Sequence, residues 1–192
     1  MRKNNACSED ILIIGIGNPM YGDDAFGPLF IEALRDCGYP CPMVTDEGGT
    51  FYLSALLEGK RLCIFVDILE REYGEAGDVV VLGLKPEELS KYDYAVLFSR
   101  ETAPHTVTPA HIVGMAYSAG MFSGEAVILG VVAANIDFGH GVSPLISSKV
   151  KYVCEKLSTL TGIRADCECV EKKFTSRAAS YSFDNTRSLS SL

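Results

Sequence analysis

The stretch 11–36 constrains the fold more than any other part of this chain. It begins with the apolar, largely β-branched run Ile11–Ile14, which predicts a buried strand, and a glycine-rich turn follows at once. From Phe26 onward, apolar side chains recur at the spacing of an amphipathic helix. Two carboxylates, Asp23 and Asp24, therefore lie where a strand leads into a helix, which is the edge at which open α/β sheets bind ligands.

The glycine-rich turn has dinucleotide binding as its first interpretation. The Rossmann fingerprint, however, requires a third glycine where this chain has Met20, and it leaves the helix N-terminus open to a pyrophosphate. Asp23 and Asp24 would repel that anion, so we expect no nucleotide cofactor. Helix capping explains one Asp, because a cap needs a single carboxylate, and the second is then available as a ligand for a cation.

The chain of 192 residues, 47% of them hydrophobic, is long enough for one domain with a sizeable core. We expect a single α/β domain over residues 1–165 and a polar, flexible tail over residues 166–192. Lys and Arg total 17 against 25 Asp and Glu, and 17 − 25 = −8 argues against nucleic-acid and membrane partners. No signal peptide is recognised and no apolar run approaches the about 20 residues that span a bilayer, so we expect a cytoplasmic protein.

The seven cysteines are expected to be reduced thiols, as is usual in the cytoplasm. The pairs Cys37/Cys41 and Cys167/Cys169 lack the C-x-x-C spacing of a zinc site, so we expect no structural zinc. The remaining cysteines are Cys7, Cys63 and Cys154.

Strand and helix signals alternate after the first unit. A second strand is predicted from Met43 to Glu47, a short helix from Thr50 through Leu57, and a third strand over Leu62–Val66 that ends at Asp67. This order implies a parallel sheet with helices on its faces.

The next connection is too short for a crossover helix, so the fourth strand, Asp78–Leu82, should be antiparallel and lie at an edge. Residues 85–105 are predicted to form a long surface loop. Thr108-Pro109 and Ser143-Pro144 predict helix starts. The most apolar segment, Ala126–Val132, is predicted to be the central strand.

Three potential metal ligands come from separate loops at one end of this predicted sheet. They are Asp24 after the first strand, Asp67 after the third, and His105 before the helix that starts at Thr108. Two carboxylates and an imidazole suit a divalent ion such as zinc or nickel, and three protein ligands leave positions open for substrate or water. Taken singly, each residue has a structural alternative, namely an Asp that bonds a neighbouring loop or a His in a turn.

Several short motifs follow one another along the chain. In chain order they are Gly15-Ile16-Gly17-Asn18-Pro19 with Asp23-Asp24, Gly48-Gly49-Thr50, Val66-Asp67, Pro104-His105, and Asn135-Ile136-Asp137-Phe138-Gly139 with Gly141. Together these motifs resemble the hydrogenase maturation endopeptidases, which remove a C-terminal extension from the large-subunit precursor of nickel-iron hydrogenases. The resemblance covers roughly residues 10–162.

This resemblance implies a three-layer α/β/α sandwich with a five-stranded, mostly parallel twisted sheet, to which the element order adds one antiparallel edge strand. It also implies that Asp24, Asp67 and His105 are the metal ligands and the catalytic residues. The nickel would be supplied by the precursor rather than held by the protease, and the protein would be a monomer. Further contacts with the substrate are expected from Asp23, Asp46, Glu47, Gly48, Gly49, Thr50 and His140.

Two alternatives remain open for the same cleft: a non-catalytic chaperone that binds the precursor, and a metallopeptidase with resident zinc. No Ser or Cys is paired with a His as a nucleophile, so Asp23, Asp46 and Glu47 are the candidate general bases. Nickel in the precursor has two candidate roles, which are polarising the scissile carbonyl and lowering the pKa of a bound water. His111 lies six residues after His105, a step that does not bring both imidazoles onto one helix face.

Overall fold

The computed structural model describes residues 9–46, 52–86 and 108–181. Five strands in this part of the chain form one sheet. They are β1 (Ile11–Ile16), β2 (Met43–Asp46), β3 (Leu62–Leu69), β4 (Val79–Leu84) and β5 (Glu125–Val132).

The sheet has the strand order β2-β1-β3-β5-β4. The pairs β1–β2, β1–β3 and β3–β5 are parallel, whereas β4 pairs antiparallel with β5 at the edge. This confirms the predicted mostly parallel sheet with one antiparallel edge strand. The predicted central position of β5 is wrong, because β3 is the middle strand and β5 lies between β3 and the edge strand. An apolar sequence marks an interior strand but does not rank the interior strands among themselves.

Six α-helices in the described part of the chain pack on the two faces of this sheet. They are α1 (Phe26–Asp36), α2 (Leu53–Leu56), α3 (Pro109–Ser118), α4 (Pro144–Ser147), α5 (Val150–Thr161) and α6 (Cys167–Tyr181). None of the described helices is long and apolar enough to cross a bilayer.

Alternate side chains of β1 pack into two different apolar layers, one on each face of the sheet. Ile11 and Ile13 pack with side chains of α1, α4, α5 and α6, whereas Leu12, Ile14 and Ile16 pack with side chains of α2 and α3. A strand that is buried on both faces reads as a continuous apolar run, which is how this segment appears in the sequence. The three-layer α/β/α sandwich is therefore confirmed.

Helix boundaries follow the predicted signals with one difference. Thr108 begins α3 through a capping box, in which its backbone N–H donates to Nδ1 of His111. The predicted helix start at Ser143-Pro144 is followed by two helices, α4 and α5, rather than by one. The helix predicted from Thr50 is described only over Leu53–Leu56, and Thr50 itself lies outside the described residues.

The predicted polar tail over residues 166–192 is wrong for the part that the structure describes. Residues Cys167–Tyr181 form α6, which packs against α1 and α5. Val170 and Phe174 are buried, and the Phe174 ring lies 5.3 Å from that of Phe26. Two large apolar residues at i and i+4 spacing mark the buried face of this helix. The residues around them are mostly polar, so the apolar periodicity is too weak to predict a buried helix.

The expectation of reduced thiols is also wrong for most of the described cysteines. Cys37 is bonded to Cys169 and Cys154 to Cys167, so that α6 is joined to the end of α1 and to α5. Cys41 is likewise disulfide-bonded. Cys63, inside β3, is the free and buried thiol of the described chain. The Cys37–Cys169 pair is 132 residues apart, and local spacing contains no information about such a contact.

Candidate functional site

Two carboxylates lie at the carboxyl edge of the neighbouring parallel strands β1 and β3. Asp24 belongs to a short 3-10 turn, Gly22–Ala25, between β1 and α1. Asp67 was predicted to follow the third strand, but it lies within β3, where it is paired with Gly130 of β5. Both residues are partly exposed at this edge of the sheet.

Glycines bring the start of α1 directly onto the ends of these two strands. A Cβ atom on Gly27 would collide with the carbonyl oxygens of Ile16 and Val66. Gly15 faces the same helix, and a Cβ there would collide with the carbonyl group of Gly27. This close approach of backbones holds the turn with Asp24 beside the end of β3.

The loop after β1 also fixes the position of Asp24. The backbone N–H of Asn18 donates to Oδ2 of Asp24 at 2.8 Å. Gly17 has φ +134°, and a Cβ on it would collide with the carbonyl oxygen of Asp24. The Gly-Asn pair therefore allows the loop to fold back on the carboxylate and to donate to it.

Burial and mutual repulsion make ionisation of this pair unfavourable. Burial raises the pKa of Asp67 to about 7, the N–H of Ile68 opposes that effect, and the charge of Asp24 raises the pKa further. Burial also raises the pKa of Asp24, against the hydrogen bond from Asn18. Because the charge of Asp24 raises the pKa of Asp67, the two carboxylates are close enough to interact electrostatically. Near neutral pH the pair retains a proton on Asp67 for part of the time, and a bound cation would take the place of that proton.

Most of the other predicted site residues lie outside the described residues. His105, Glu47, Gly48, Gly49 and Thr50 belong to this group, so their positions stay predictions. Within the described ranges, no group of three His, Cys, Asp or Glu side chains comes together as a metal site. The proposed ligand set is thus represented by two of its three members.

Asp46 is placed at the same edge as the carboxylate pair. It ends β2 and is paired with Ile16 at the end of β1. Its side chain is buried and has an interaction partner. His140 is exposed, and its carbonyl oxygen accepts a hydrogen bond from the N–H of Gly22 at 3.0 Å. Asp46 therefore lies beside the end of β1, and His140 is hydrogen-bonded to the turn that contains Asp24.

Asp23 does not have the substrate-contact role that the sequence suggested. Its side chain is fully buried, and its two oxygens accept three backbone N–H groups at 2.7–2.8 Å. The donors are Ala134, Asn135 and Ser143. No oxygen of this carboxylate is exposed to a substrate, so Asp23 anchors a loop instead.

His111 is equally occupied in a structural role. It is buried, and its Nδ1 lies 2.8 Å from Oγ1 of Thr108 in the capping box of α3. Nδ1 of His111 is therefore engaged in the cap of α3.

The chain is similar to known proteins in both sequence and fold. No protein-family model matches the chain. The hydrogenase 2 maturation protease of Escherichia coli is 23% identical over 151 residues, which cover 77% of this chain and 87% of that protein. The hydrogenase maturating endopeptidase HybD from E. coli is 19% identical and superposes with a TM-score of 0.64, covering 81% of this chain and 95% of HybD. HybD from Thermococcus kodakarensis is 22% identical with a TM-score of 0.55 and covers 79% and 98% of the two chains.

The predicted resemblance to the hydrogenase maturation endopeptidases is confirmed. The five-stranded sheet and its flanking helices have the fold of these endopeptidases. The relatives are covered over 87–98% of their length, so the likeness extends across their whole domain rather than over one motif.

Proposed function

We propose that this chain is an endopeptidase that removes the C-terminal extension of a nickel-iron hydrogenase large-subunit precursor after nickel has been inserted. The observation that supports the proposal is the pair Asp24 and Asp67 at the carboxyl edge of the sheet, on a fold shared with maturation endopeptidases. Relatives of this fold are named as hydrogenase maturation proteases.

The carboxylate pair suits recognition of a metal that arrives with the substrate. Burial and repulsion disfavour two negative charges at Asp24 and Asp67, and a nickel ion in the precursor relieves that cost. A precursor without nickel brings no compensating charge and docks less well. His105 is proposed as the third ligand, because imidazole and carboxylate together suit nickel.

The acidic residues at this edge of the sheet have different proposed roles in cleavage. Asp24 and Asp67 hold the substrate's nickel beside the scissile bond, where the ion polarises the carbonyl or lowers the pKa of a water. Asp46 and Glu47 remain the candidate general bases, whereas Asp23 is removed from this group because its oxygens are taken by backbone N–H groups. We propose that the enzyme works as a cytoplasmic monomer.

A cleavage assay tests the proposal. Candidate large-subunit precursors, each with and without nickel, are incubated with the protein and analysed by mass spectrometry. The expected result is a shortened large subunit and a released peptide from the nickel-loaded form alone. Intact precursor that stays bound to the protein would instead support the chaperone alternative, and stoichiometric zinc in the purified protein would support the metallopeptidase alternative.

Substitutions assign the site within the same assay. His105→Ala and Asp24→Asn are expected to abolish cleavage while the melting temperature stays close to that of the wild type. Glu125→Gln is a matched control, because Glu125 is an exposed carboxylate at the start of β5, on the opposite edge of the sheet. Cleavage by His105→Ala at the normal rate would show that the imidazole is not a ligand.

A further inference from the structure

The loop 133–143, which follows β5, is tied to the turn 18–24 by a dense set of hydrogen bonds. The N–H groups of Gly22 and Asp23 donate to the carbonyls of His140 and Asn135. In the opposite direction, the N–H of Gly139 donates to the carbonyl of Met20 at 2.8 Å. Two connections without regular secondary structure therefore form one unit at the edge that contains Asp24.

The buried carboxylate of Asp23 is the centre of this unit. It accepts N–H groups from Ala134, Asn135 and Ser143, which lie at both ends of the loop. A carboxylate that accepts three backbone N–H groups in a buried position fixes the loop strongly, because charge-assisted hydrogen bonds are about twice as strong as neutral ones. Gly22, at φ +53°, lets the loop pack closely, since a Cβ there would lie 2.6 Å from the carbonyl oxygen of Asn135.

This firmly held unit exposes large apolar side chains, which we call the apolar ledge: Tyr21, Ile136 and Phe138. Their exposed fractions are 43%, 58% and 64%. The rings of Tyr21 and Phe138 make an edge-to-face contact at 5.2 Å, and the two residues form an isolated antiparallel β-bridge. Exposure of large apolar side chains to water costs free energy, and the loop that carries them is held by many hydrogen bonds. Exposed apolar side chains on a rigidly held loop are typical of a binding surface.

The apolar ledge shares a turn with Asp24, one of the two carboxylates of the pair. The N–H of Asp24 donates to the carbonyl of Tyr21 at 2.9 Å, so the same turn carries one ledge residue and one site carboxylate. Asp137, which is also exposed, lies between the two ledge residues of the loop. The acidic surroundings disfavour an acidic partner and suit a neutral or basic peptide with an apolar side chain.

We infer that the apolar ledge binds an apolar side chain of the substrate polypeptide next to the bond that is cleaved, and that Asp23 is the residue that positions the ledge. This inference rests on the proposed function and adds to it a docking surface. The ledge contributes to binding, whereas the carboxylate pair acts on the bond. The expected signature is therefore a change in KM with little change in kcat.

The first test compares cleavage of nickel-loaded precursor by the wild type and by the double variant Ile136→Ala/Phe138→Ala. We expect KM to rise about tenfold or more, because truncation of apolar anchors at an interface typically costs this much affinity. We expect kcat to stay within about twofold. Tyr152→Ala is the matched control, because Tyr152 is an aromatic residue of α5 with 47% exposure, and it should leave both constants unchanged.

The second test concerns Asp23 as a positioning residue. Asp23→Asn replaces one acceptor oxygen by an amide that faces backbone donors, so the loop should loosen and its amide hydrogens should exchange faster. KM should rise as in the ledge variant. In a background that already has Ile136→Ala/Phe138→Ala, the same substitution should change KM by less than about twofold, because the ledge on which it acts is missing.

The outcomes separate this inference from the proposed function. If the wild type releases no peptide from any precursor, the proposed function fails and the ledge has no substrate to bind. If the wild type cleaves and the ledge variant has an unchanged KM, the ledge inference alone is wrong. Sedimentation of a wild-type dimer that dissociates in the ledge variant, with KM unchanged, would assign the ledge to a contact between copies of the chain and overturn the inference.

Discussion

The raised pKa of Asp67 predicts that an amide at this position stabilises the folded protein at neutral and alkaline pH. Its pKa is about 7 in the folded protein against an ordinary value of 3.8. Between these two pH values the folded protein keeps the proton and the unfolded chain has lost it, so stability falls as the pH rises through this window. The difference of about three pH units corresponds to about 4 kcal/mol, at about 1.4 kcal/mol for each unit.

Asp67→Asn keeps an oxygen for the N–H of Ile68 but cannot ionise. We expect its free energy of unfolding to exceed that of the wild type by about 2–4 kcal/mol at about pH 8, and to match it near pH 3. Urea unfolding followed by circular dichroism measures this difference. The same substitution is expected to abolish cleavage of the precursor, so stability and activity should change in opposite directions.

The control for this experiment is Asp137→Asn, which removes the same unit of charge from an exposed position at the same edge of the sheet. It should change the free energy of unfolding by less than about 0.5 kcal/mol at either pH. If Asp67→Asn proved no more stable than the wild type at about pH 8, the carboxylate would not be held in an unfavourable environment, and the argument for cation recognition by the pair would lose its basis.

Three further predictions concern the helix α6 and the packing under the site. Phe174→Ala should lower the free energy of unfolding by about 3–5 kcal/mol, whereas the exposed neighbour Lys173→Ala should have little effect; equal losses in urea unfolding would contradict the packing of α6. Cys169→Ser should cost about 2–4 kcal/mol without reductant, and this difference from the wild type should largely vanish under reducing conditions, where Cys37 is unpaired in both proteins. Gly27→Ala should cost about 2 kcal/mol or more and lower cleavage, because the added methyl group separates α1 from β1 and β3; normal melting and normal activity would argue against the close approach.

The disulfides bear on the compartment in which the protein works. Bonds of this kind persist in oxidising compartments and in intracellular proteins of hyperthermophiles, and they are rare in the cytosol of mesophiles. The sequence argument for reduced thiols used the expected cytoplasmic location, which says nothing about which cysteines meet in space. Mass spectrometry of the protein after alkylation, with and without reductant, would count the bonded thiols directly.

Local patterns were sufficient for most of the elements and for the position of Asp24 and Asp67 at one edge of the sheet. The β-branched run at Ile11–Ile14, the helical spacing after Phe26 and the Thr108-Pro109 cap all correspond to observed elements. Asp24 and Asp67 were assigned to the same edge because parallel strands have their carboxyl ends on one side of a sheet. His105 and the segment 47–50 lie outside the described residues, and their roles stay predictions.

The sequence by itself determined which segments are strands, that the sheet is mostly parallel, and which edge presents the acids, because these properties follow from the period of apolar residues and from chain order. Only the tertiary structure decided that α6 closes the core, that Cys37 meets Cys169, and that Asp23 is an anchor while Asp24 next to it remains partly exposed. The physical reason is the distance along the sequence over which each interaction acts. Periodicity and capping act over a few residues, whereas the burial of Asp23, its bonds to residues 134–143 and the raised pKa of Asp67 arise from groups that meet only after folding.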